Sequence, residues 1–347
     1  MKSAIITGIT GQDGSYLANY LIKKKIKVFG ILRRTSADPL ERLEYFGIKD
    51  KIKFINSDLS EHQKITTIIK KIKPTYFFNL GAQSFVTFSY DNPIYTDNIN
   101  NVSVINILES IKNFSNKTRF YQASSSEMYG LNESNEKKLN EKTHFNPISP
   151  YSIAKLSAYY YTRMYRNSYN IFASNGILFN HESPLRGQQF VTKKIISNLV
   201  RIKFNIQKTP LVLGNIYSRR DWGHAEDYVE MMYKILSYKK PDDFVISSEK
   251  QYSIKEFINI VCDKINLKIF WSGKGMQEKA NIKNGKTIIK VSKKFFRPSD
   301  VIYLLGDSSK ARKYLKWKAK KTISYLVSDM INFELNKIKI NVKNKKM

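Results

Sequence analysis

The chain has 347 residues, 42% hydrophobic and 13% aromatic, which indicates a globular protein with enough apolar material for a full core. It carries 59 Lys and Arg against 29 Asp and Glu, a formal net charge of +30. The basic residues are scattered in short clusters such as 23–25 and 70–73, which disfavours nucleic-acid binding but would attract an anionic substrate.

Cysteine usage and the lengths of the apolar runs limit the compartment and the class of protein. The only cysteine, Cys262, excludes a disulfide within the chain and fits a reducing, cytoplasmic location. The first apolar stretch begins at Ala4 and is interrupted by Gly8, so no signal peptide is visible. No apolar run reaches the roughly 18 residues of a membrane helix, and we expect no membrane partner. The histidines lack the spacing of metal ligands, so we predict no metal.

The first half of the chain alternates short β-rich runs with longer amphipathic ones. The short runs are predicted to be strands at 4–7, 28–32, 53–56, 76–80, 119–123 and 172–178. The longer runs are predicted to be helices at 16–24, 63–71, 98–112 and 150–167. This alternation predicts an α/β fold with a doubly wound parallel sheet, which binds its ligands at the carboxyl ends of the strands.

After residue 180 the alternation breaks. We predict a loop over 181–190, a helix, a β segment at 211–214, a strand at 243–247, a helix at 253–265 and a loop-rich stretch over 267–300. We therefore expect a dinucleotide-binding domain from 1–180, joined by about 211–250. A smaller substrate domain would come from about 181–210 and 251–335, and we expect the basic tail 336–347 to fray.

A glycine-rich turn follows the first predicted strand and precedes the first predicted helix. Glycine there permits a tight turn and lets a dinucleotide pyrophosphate approach backbone N–H groups at a helix N-terminus. The three-residue steps between glycines are typical of short-chain dehydrogenases/reductases, although a plain glycine-rich turn is the alternative. The predicted cofactor turn comprises Gly8, Ile9, Thr10, Gly11, Gln12, Asp13 and Gly14.

Residues after the next three predicted strands would complete the cofactor site. Arg33 and Arg34 follow the second strand, where arginine accommodates a 2′-phosphate, so we predict NADP; two solvated arginines are the alternative. Asp58, with Leu59 beside it, would cap the adenine amine, unless Asp58 caps the following helix instead. The turn after the fourth strand would line the cofactor, or be only a turn, and comprises Leu80, Gly81, Ala82, Gln83 and Ser84.

Tyr151 and Lys155 are four residues apart on a predicted helix and therefore lie on one face. An ammonium beside the phenol would lower its pKa from the usual value near ~10 and let it act as a base. The spacing alone is weak, because a chain so rich in tyrosine and lysine contains such pairs by chance, as Tyr20 and Lys24 show. The position of Tyr151 and Lys155 distinguishes them from such chance pairs, because they lie at the start of the helix that follows a serine-rich strand end.

Ser125 and Glu127 lie at that strand end. Ser125 could hydrogen-bond a substrate hydroxyl at the reacting carbon, and Glu127 would point to the same face if strand alternation persists. A carboxylate at a hydride-transfer site allows a second reaction, in which a proton is removed from carbon and water is eliminated. The alternatives are a polar loop and a surface carboxylate. The catalytic interpretation predicts an enzyme that dehydrates a sugar and recycles its own nicotinamide cofactor.

Four sequence strings carry a resemblance to a known family. They are Gly-Ile-Thr-Gly-Gln-Asp-Gly-Ser-Tyr-Leu at 8–17, Leu-Gly-Ala-Gln-Ser at 80–84, Asn-Gly-Ile-Leu-Phe-Asn-His-Glu-Ser-Pro at 175–184, and Arg-Asp-Trp-Gly-His at 220–224. From about residue 3 to about 330 the sequence resembles the GDP-mannose 4,6-dehydratases, which are extended short-chain dehydrogenases/reductases. The resemblance implies a Rossmann domain with a smaller α/β substrate-binding domain, a GDP-sugar substrate and a homo-oligomer, either a dimer or a tetramer.

The resemblance also implies a mechanism. Tyr151, aided by Lys155 and Ser125, would deprotonate the sugar O4 while C4 gives a hydride to NADP. Glu127 would remove the C5 proton, acidified by the C4 ketone, and pass a proton to the departing C6 hydroxyl. The hydride would then return to C6, leaving a 4-keto-6-deoxy sugar.

The remaining positions implied by the resemblance bind ligands. For the cofactor they are Tyr95, Tyr151, Lys155, His181 and Arg186. For the substrate they are Ser84, Ser125, Glu127, Asn180, Lys194, Arg220, Arg297 and Asp300.

The chain departs from the family pattern at three positions. Ser125 stands where threonine is usual, Leu185 replaces an arginine that reaches a neighbouring subunit in family tetramers, and Asp300 stands where glutamate is usual. These changes leave room for a larger sugar, so a GDP-D-glycero-D-manno-heptose 4,6-dehydratase is the nearest alternative. A sugar-nucleotide 4-epimerase is a further one, although Glu127 would have no task in it.

Overall fold

The computed structural model describes residues 1–131, 138–296, 301 and 303–344, with side chains described as far as residue 339. In chain order the strands are β1 (Ser3–Thr7), β2 (Lys27–Leu32), β3 (Ile52–Asn56), β4 (Tyr76–Asn79), β5 (Arg119–Ser125), β6 (Ala173–Leu178), β7 (Asn180–Glu182), β8 (Leu211–Leu213), β9 (Arg219–His224), β10 (Phe244–Ile246), β11 (Gln251–Ser253), β12 (Phe270–Ser272), β13 (Lys279–Asn281), β14 (Thr287–Val291) and β15 (Tyr303–Leu304). The helices are α1 (Gln12–Lys23), α2 (Glu41–Glu44), α3 (His62–Ile72), α4 (Val86–Asp91), α5 (Pro93–Asp97), α6 (Ser103–Phe114), α7 (Pro150–Tyr169), α8 (Val191–Lys203), α9 (Ala225–Ser237), α10 (Ile254–Lys264), α11 (Ser309–Leu315) and α12 (Ile323–Asn344).

Seven parallel strands form the central sheet, in the order β10-β6-β5-β4-β1-β2-β3. Successive apolar residues point to opposite faces: Ile5 and Phe77 pack on one side of the sheet, Ile6 and Phe78 on the other. Helices α3, α6 and α7 cover the first face, and α1 and α9 the second. Burial on both faces explains the nearly continuous apolar runs of the strands. The predicted doubly wound parallel sheet is confirmed.

Helix α7 begins one residue before Tyr151, and its start is fixed by a reciprocal cap. Ser149 Oγ accepts a hydrogen bond from the backbone N–H of Ser152 at 3.1 Å, and Ser152 Oγ accepts one from the N–H of Ser149 at 3.0 Å. Pro150 occupies the first helical position, where its missing N–H is of no consequence. Tyr151 and Lys155 are 8% and 4% exposed, so both lie on the buried face of the helix.

The second half of the chain builds two smaller sheets. One has the order β11-β9-β15, with β7 also paired to β9, and the other has the order β12-β13-β14-β8. Strand β7 overlaps the start of the predicted loop 181–190, and β9 was not predicted, because both strands are largely polar and are defined by their pairing. Strand β10 joins the large sheet, whereas β8 joins a small one.

Helix α12 continues to Asn344, so residues 336–344 of the predicted basic tail are helical. The apolar face of α12 packs into a core shared with α8 and α10, through residues such as Val327 and Met330. Near its end, Lys337 Nζ lies 2.9 Å from Glu41 Oε1 of α2. No helix in the described part of the chain is long and apolar enough to cross a membrane.

Asp243, just before β10, anchors the far end of α7. Its carboxylate accepts hydrogen bonds from both terminal nitrogens of Arg166 at 2.8 Å, and the two side chains are only 7% and 12% exposed. Asn175 Nδ2 and the Tyr159 hydroxyl add bonds of 2.8 and 3.3 Å. Burial alone would raise the pKa of Asp243, but Arg166 outweighs it and holds that pKa below its usual range. This carboxylate therefore joins α7 to β6 and β10.

We expect Asp243→Asn to lower the free energy of unfolding by about 3 kcal/mol, because it leaves the Arg166 guanidinium buried without its carboxylate. Since the folded-state pKa of Asp243 is lowered, its contribution is present above the unfolded value of about 4 and is lost as pH falls through the folded one. Urea unfolding at neutral and acidic pH measures both effects. Asp242→Asn is the control, since Asp242 is 33% exposed; an equal loss in the two variants would contradict the prediction.

Candidate active site

A cleft of about 350 Å³ opens where the carboxyl ends of β1, β4, β5 and β6 face the smaller sheets. Parallel α/β sheets bind their ligands at this edge. Thirteen of the predicted site residues line it: Asp13, Leu80, Ala82, Ser84, Ser125, Glu127, Tyr151, Lys155, Asn180, His181, Arg186, Lys194 and Arg220.

The glycines of the turn after β1 are required by close backbone approaches. Gly8 has a φ of +67°, and a Cβ atom on it would lie 2.8 Å from the amide nitrogen of Gly81. A Cβ atom on Gly14 would lie 2.2 Å from the carbonyl oxygen of Gly8. Gly11 is the N-cap of α1 and offers no side-chain cap, so the first N–H groups of that helix are available to an anion. This turn has the geometry of a pyrophosphate cradle.

The turn is tied to the segment that begins at β7. Gln12 Nε2 donates to the carbonyl of His181 at 3.2 Å, and the hydroxyl of Ser183 donates to Gln12 Oε1 at 2.8 Å. His181 Nε2 lies 2.8 Å from Asp13 Oδ2. The cofactor turn and the first strand of the smaller sheets are thus held together by side chains of both.

Two acceptors face the ring of His181, which favours its protonated form. Its Nδ1 faces the carbonyl oxygen of Phe179 at 2.9 Å and its Nε2 faces the Asp13 carboxylate, and neither oxygen can donate a proton. Burial alone would lower the pKa of His181, but the charge and hydrogen bond of Asp13 outweigh it and raise that pKa. The same pairing lowers the pKa of Asp13 against the effect of its own burial.

Four predicted catalytic residues face the cleft together. Ser125 ends β5 and caps the short 3₁₀ turn after it, where its Oγ accepts the N–H of Glu127 at 3.2 Å. Tyr151 lines the cleft beside Ser125, whose hydroxyl opposes the rise that burial causes in the pKa of the phenol. Lys155 Nζ donates to the carbonyl of Ala123 at 2.9 Å and lies 6.0 Å from the centre of the Tyr151 ring. The strand end and the helix start therefore meet as the sequence pattern predicts.

The protonation of the pair differs from the sequence-based expectation. Burial raises the pKa of Tyr151 to about 12, against the lowering effect of the Ser125 hydrogen bond. Burial also lowers the pKa of Lys155 to about 8. The expectation that the ammonium lowers the phenol pKa is therefore wrong for the protein without ligands, because desolvation disfavours the charged form of each group.

The far end of the cleft is cationic. Lys194 Nζ donates to the carbonyl of Val212 at 2.8 Å, and burial lowers the pKa of this lysine. Arg220 lies on β9, and its Nη1 donates to the carbonyl of Arg219 at 2.9 Å. Asn180 of β7, which pairs with Trp222 of β9, also lines the cleft. Cations of this kind suit a diphosphate.

Two aromatic residues at this end were missed by the sequence reasoning. Phe295 and Phe296 line the cleft and are 48% and 41% exposed. Lys194 Nζ lies 4.2 Å from the centre of the Phe295 ring. A Cβ atom on Gly214 would lie 2.3 Å from the carbonyl oxygen of Phe295, which explains the glycine there. The available signal was the aromatic pair directly before Arg297.

Several predicted cofactor residues do not line this cleft. Arg33 and Arg34 are exposed directly after β2, and Tyr95 is 43% exposed on α5. The Asp58 carboxylate accepts hydrogen bonds from the N–H and hydroxyl of Ser60 at 2.9 and 2.7 Å. In this structure Asp58 therefore stabilises the turn before α3.

The other predicted positions lie beside the cleft or beyond the described residues. The positions beside the cleft belong to the backbone turns after β1, β3 and β4. They are Gly8, Ile9, Thr10, Gly11, Gln12, Gly14, Leu59, Gly81 and Gln83. Arg297 and Asp300 lie outside the described residues.

The fold and this arrangement define an extended short-chain dehydrogenase/reductase. The structure is similar to a dTDP-glucose 4,6-dehydratase from Bacillus anthracis in complex with NAD, with a TM-score of 0.80, 17% identity and 97% of each chain covered. It is also similar to RMD from Pseudomonas aeruginosa complexed with NADPH, with a TM-score of 0.76, 18% identity and 97% and 100% of the two chains covered. At these identities the likeness establishes the fold.

Sequence comparison identifies the family. The model of the GDP-mannose 4,6 dehydratase family matches residues 5–330. GDP-mannose 4,6-dehydratase of Vibrio cholerae serotype O1 is 42% identical over 353 residues, which cover 96% of this chain and 94% of that protein. The chain belongs to the GDP-mannose 4,6-dehydratase family.

We expect His181→Asn to lower the free energy of unfolding by about 2 kcal/mol below about pH 6.5, because it removes a charged hydrogen bond. The folded-state pKa of His181 is raised, so this contribution is complete below the unfolded value and is lost as pH rises through the folded one. Urea unfolding between about pH 5.5 and about pH 9 should therefore show a shrinking difference between wild type and variant. The exposed His144→Asn is the control; a difference independent of pH would contradict the assignment.

Proposed function

We propose that this chain catalyses the NADP-dependent 4,6-dehydration of GDP-mannose to GDP-4-keto-6-deoxy-mannose. The observation that carries the proposal is the meeting of Ser125, Glu127, Tyr151 and Lys155 in one cleft beside a dinucleotide turn. Family membership supports a hydro-lyase acting on this substrate, and the Vibrio relative is named for mannose. The heptose alternative is not favoured.

The residues after β1 fit a dinucleotide, because the space at Gly8 is too small for any side chain and the N-terminus of α1 carries no side-chain cap. When bound, NADP supplies the acceptor for the hydride from sugar C4 and returns it to C6. Arg33 and Arg34, exposed after β2, would hold the 2′-phosphate, which supports NADP over NAD. His181 and Arg186 would face the pyrophosphate side.

Tyr151 acts as the base toward the sugar O4 in this proposal. Ser125 lines the cleft beside the phenol and would hydrogen-bond O4, which would hold O4 in place for proton transfer to Tyr151. Lys155, with a pKa of about 8, is substantially protonated near neutral pH and supplies positive charge to the phenolate as it forms. The carbonyl of Ala123 keeps the lysine amine on this side of the cleft.

Glu127 performs the elimination. Once C4 is a ketone, the C5 proton is acidic, and the carboxylate removes it and then protonates the departing C6 hydroxyl. One residue thus serves as base and acid in turn, which is possible because both sites are on adjacent carbons. A 4-epimerase needs no such group, so Glu127 favours a dehydratase.

The cationic end of the cleft would take the GDP moiety. Lys194 and Arg220 would bind the diphosphate and Asn180 the sugar, with Arg297 and Asp300 predicted to add contacts to the nucleotide. The dinucleotide domain would consist of the seven-stranded sheet and its helices, and the substrate domain of the two smaller sheets with α8, α10 and α12.

We also propose that the chain forms a homo-oligomer, a dimer or a tetramer. Large apolar side chains are exposed on the adjacent helices α5 and α7: Ile94 is 78% exposed, Ile153 55% and Tyr160 51%. Covering them with a second copy would remove this apolar surface from water.

Glu127→Gln should lower kcat for GDP-mannose dehydration by about 10³-fold, because the amide can neither accept the C5 proton nor donate one to the C6 hydroxyl. Wild type should give a product lighter by one water, followed by mass spectrometry with NADP present. NADPH binding should be unchanged in the variant.

Glu230→Gln, a carboxylate of α9 outside the cleft, is the control and should keep full activity. GDP-D-glycero-D-manno-heptose is assayed beside GDP-mannose. No dehydration of either sugar by wild type would overturn the proposed function, and an active Glu127→Gln variant would overturn the assigned role.

Replacing Arg33 and Arg34 together by glutamine should weaken NADPH binding by about tenfold or more while leaving NADH binding nearly unchanged, because only NADPH carries the 2′-phosphate. Fluorescence titration of both cofactors measures the preference. Arg201→Gln removes another exposed arginine, from α8, and should change neither affinity. Equal losses for NADPH and NADH would argue against a 2′-phosphate site.

A further inference from the structure

Arg42, on α2, bridges the cofactor turn and the segment after β7. Its Nη1 donates to the carbonyl of Thr10 at 2.9 Å, and its Nε donates to the carbonyl of Leu185 at 2.8 Å. The two acceptors are backbone atoms of segments far apart in the chain, and one guanidinium holds both. No sequence motif marks this arginine.

Helix α2, which carries Arg42, is firmly placed. Beside Arg42, Leu43 is fully buried, and Phe46 packs edge-on against Tyr16 of α1 with ring centres 4.9 Å apart. Helix α2 therefore does not need Arg42 to stay in position.

The second acceptor is equally fixed. Leu185 is 5% exposed within the core that α1 and α9 share. The buried amine of Lys193 donates to the carbonyl of Pro184 at 2.7 Å, and Arg186 pairs with Glu182 at 3.0 Å. The segment 183–186 thus serves as a rigid support for the far side of the bridge.

The cofactor turn is the part that needs support. Three glycines at 8, 11 and 14 give its backbone more freedom than other residues would, and freedom that is lost on binding reduces affinity. We propose that Arg42 is a positioning residue for the dinucleotide: it holds the Gly8–Gly14 turn against the 183–186 segment in the conformation that receives the pyrophosphate. This inference rests on the proposed cofactor site.

A purely electrostatic role for Arg42 makes a different prediction. Lysine would keep the positive charge near the phosphates but has no planar fork with which to reach two carbonyls at once. Arg42→Lys therefore separates position from charge, and Arg42→Met removes both while keeping the apolar stem.

The chain contains a matched control at the other end of the sheet. Arg119, at the start of β5, is also partly buried, and its Nη1 bridges the carbonyls of Leu236 and Tyr238 at 2.8 and 3.0 Å. It lies at the amino end of the strands, away from the cleft. Arg119→Met and Arg119→Lys remove an equivalent bridge without touching the cofactor turn.

The experiment is a fluorescence titration of NADPH into the full-length variants, with no sugar present. We expect Arg42→Met to bind about tenfold more weakly, Arg42→Lys to show most of that loss, and both Arg119 variants to bind as wild type does. In GDP-mannose dehydration the Arg42 variants should show a raised KM for NADP, and saturating NADP should recover most of kcat. Backbone amide hydrogen exchange should rise over 8–14 in the Arg42 variants alone.

If Arg42→Met binds NADPH as tightly as wild type does, the inference is overturned. If Arg42→Lys binds NADPH as tightly as wild type does, the positive charge at this position, and not the bridge between the two carbonyls, causes the tight binding. If wild type itself binds no NADPH, the cofactor proposal falls and this inference with it, whereas failure on GDP-mannose alone leaves the binding contrast intact. Should a methionine variant fail to fold, Arg42→Lys against Arg119→Lys gives the same contrast.

Discussion

A close contact between two backbone turns sets the shape of the cleft. Gly8 lies so close to Gly81 that a Cβ atom on Gly8 would be 2.8 Å from the amide nitrogen of Gly81, which leaves no room for a side chain at Gly8. The hydroxyl of Thr7 holds this contact, because it accepts hydrogen bonds from the N–H groups of Leu80 at 3.0 Å and Gly81 at 2.9 Å. With the ends of β1 and β4 fixed against each other, the pairing of β4 with β5 brings Ser125 to the same edge. The dinucleotide turn and the candidate catalytic residues follow from one packing arrangement.

The reacting groups are assembled with their charged forms disfavoured. Burial raises the pKa of Tyr151 to about 12 and lowers that of Lys155 to about 8, so the neutral form of each group is favoured. The two pKa shifts have opposite signs but a single cause, since desolvation penalises the phenolate anion and the ammonium cation alike. The rigid anchors, at Ser149 before the pair and Asp243 beyond it, prevent the helix from moving these groups into water.

The features of the fold and the site that could be predicted from the sequence are those that depend on local residue patterns. Short, nearly continuous apolar runs predicted the strands of the large sheet, and the three-residue spacing of the glycines predicted the cofactor turn. Strands β7 and β9 escaped prediction because polar residues become strands only through partners distant in the chain. Phe295 and Arg42 escaped for the same reason: their importance depends on which backbone atoms they meet. The phenol pKa was mispredicted because sequence spacing gives the distance to Lys155 but not the depth of burial.

The carboxyl-terminal helix has a practical consequence for handling the protein. Near its end, α12 touches α2 through the pair Lys337 and Glu41 and through Phe333, whose ring centre lies 5.6 Å from that of Tyr45. The same short helix carries Arg42. Truncating the chain so that Phe333 is lost, or attaching a bulky affinity tag at the end of α12, would therefore disturb α2. Helix α2 is far from the cleft residues in the amino-acid sequence. A tag placed before the fully exposed Met1 avoids that route.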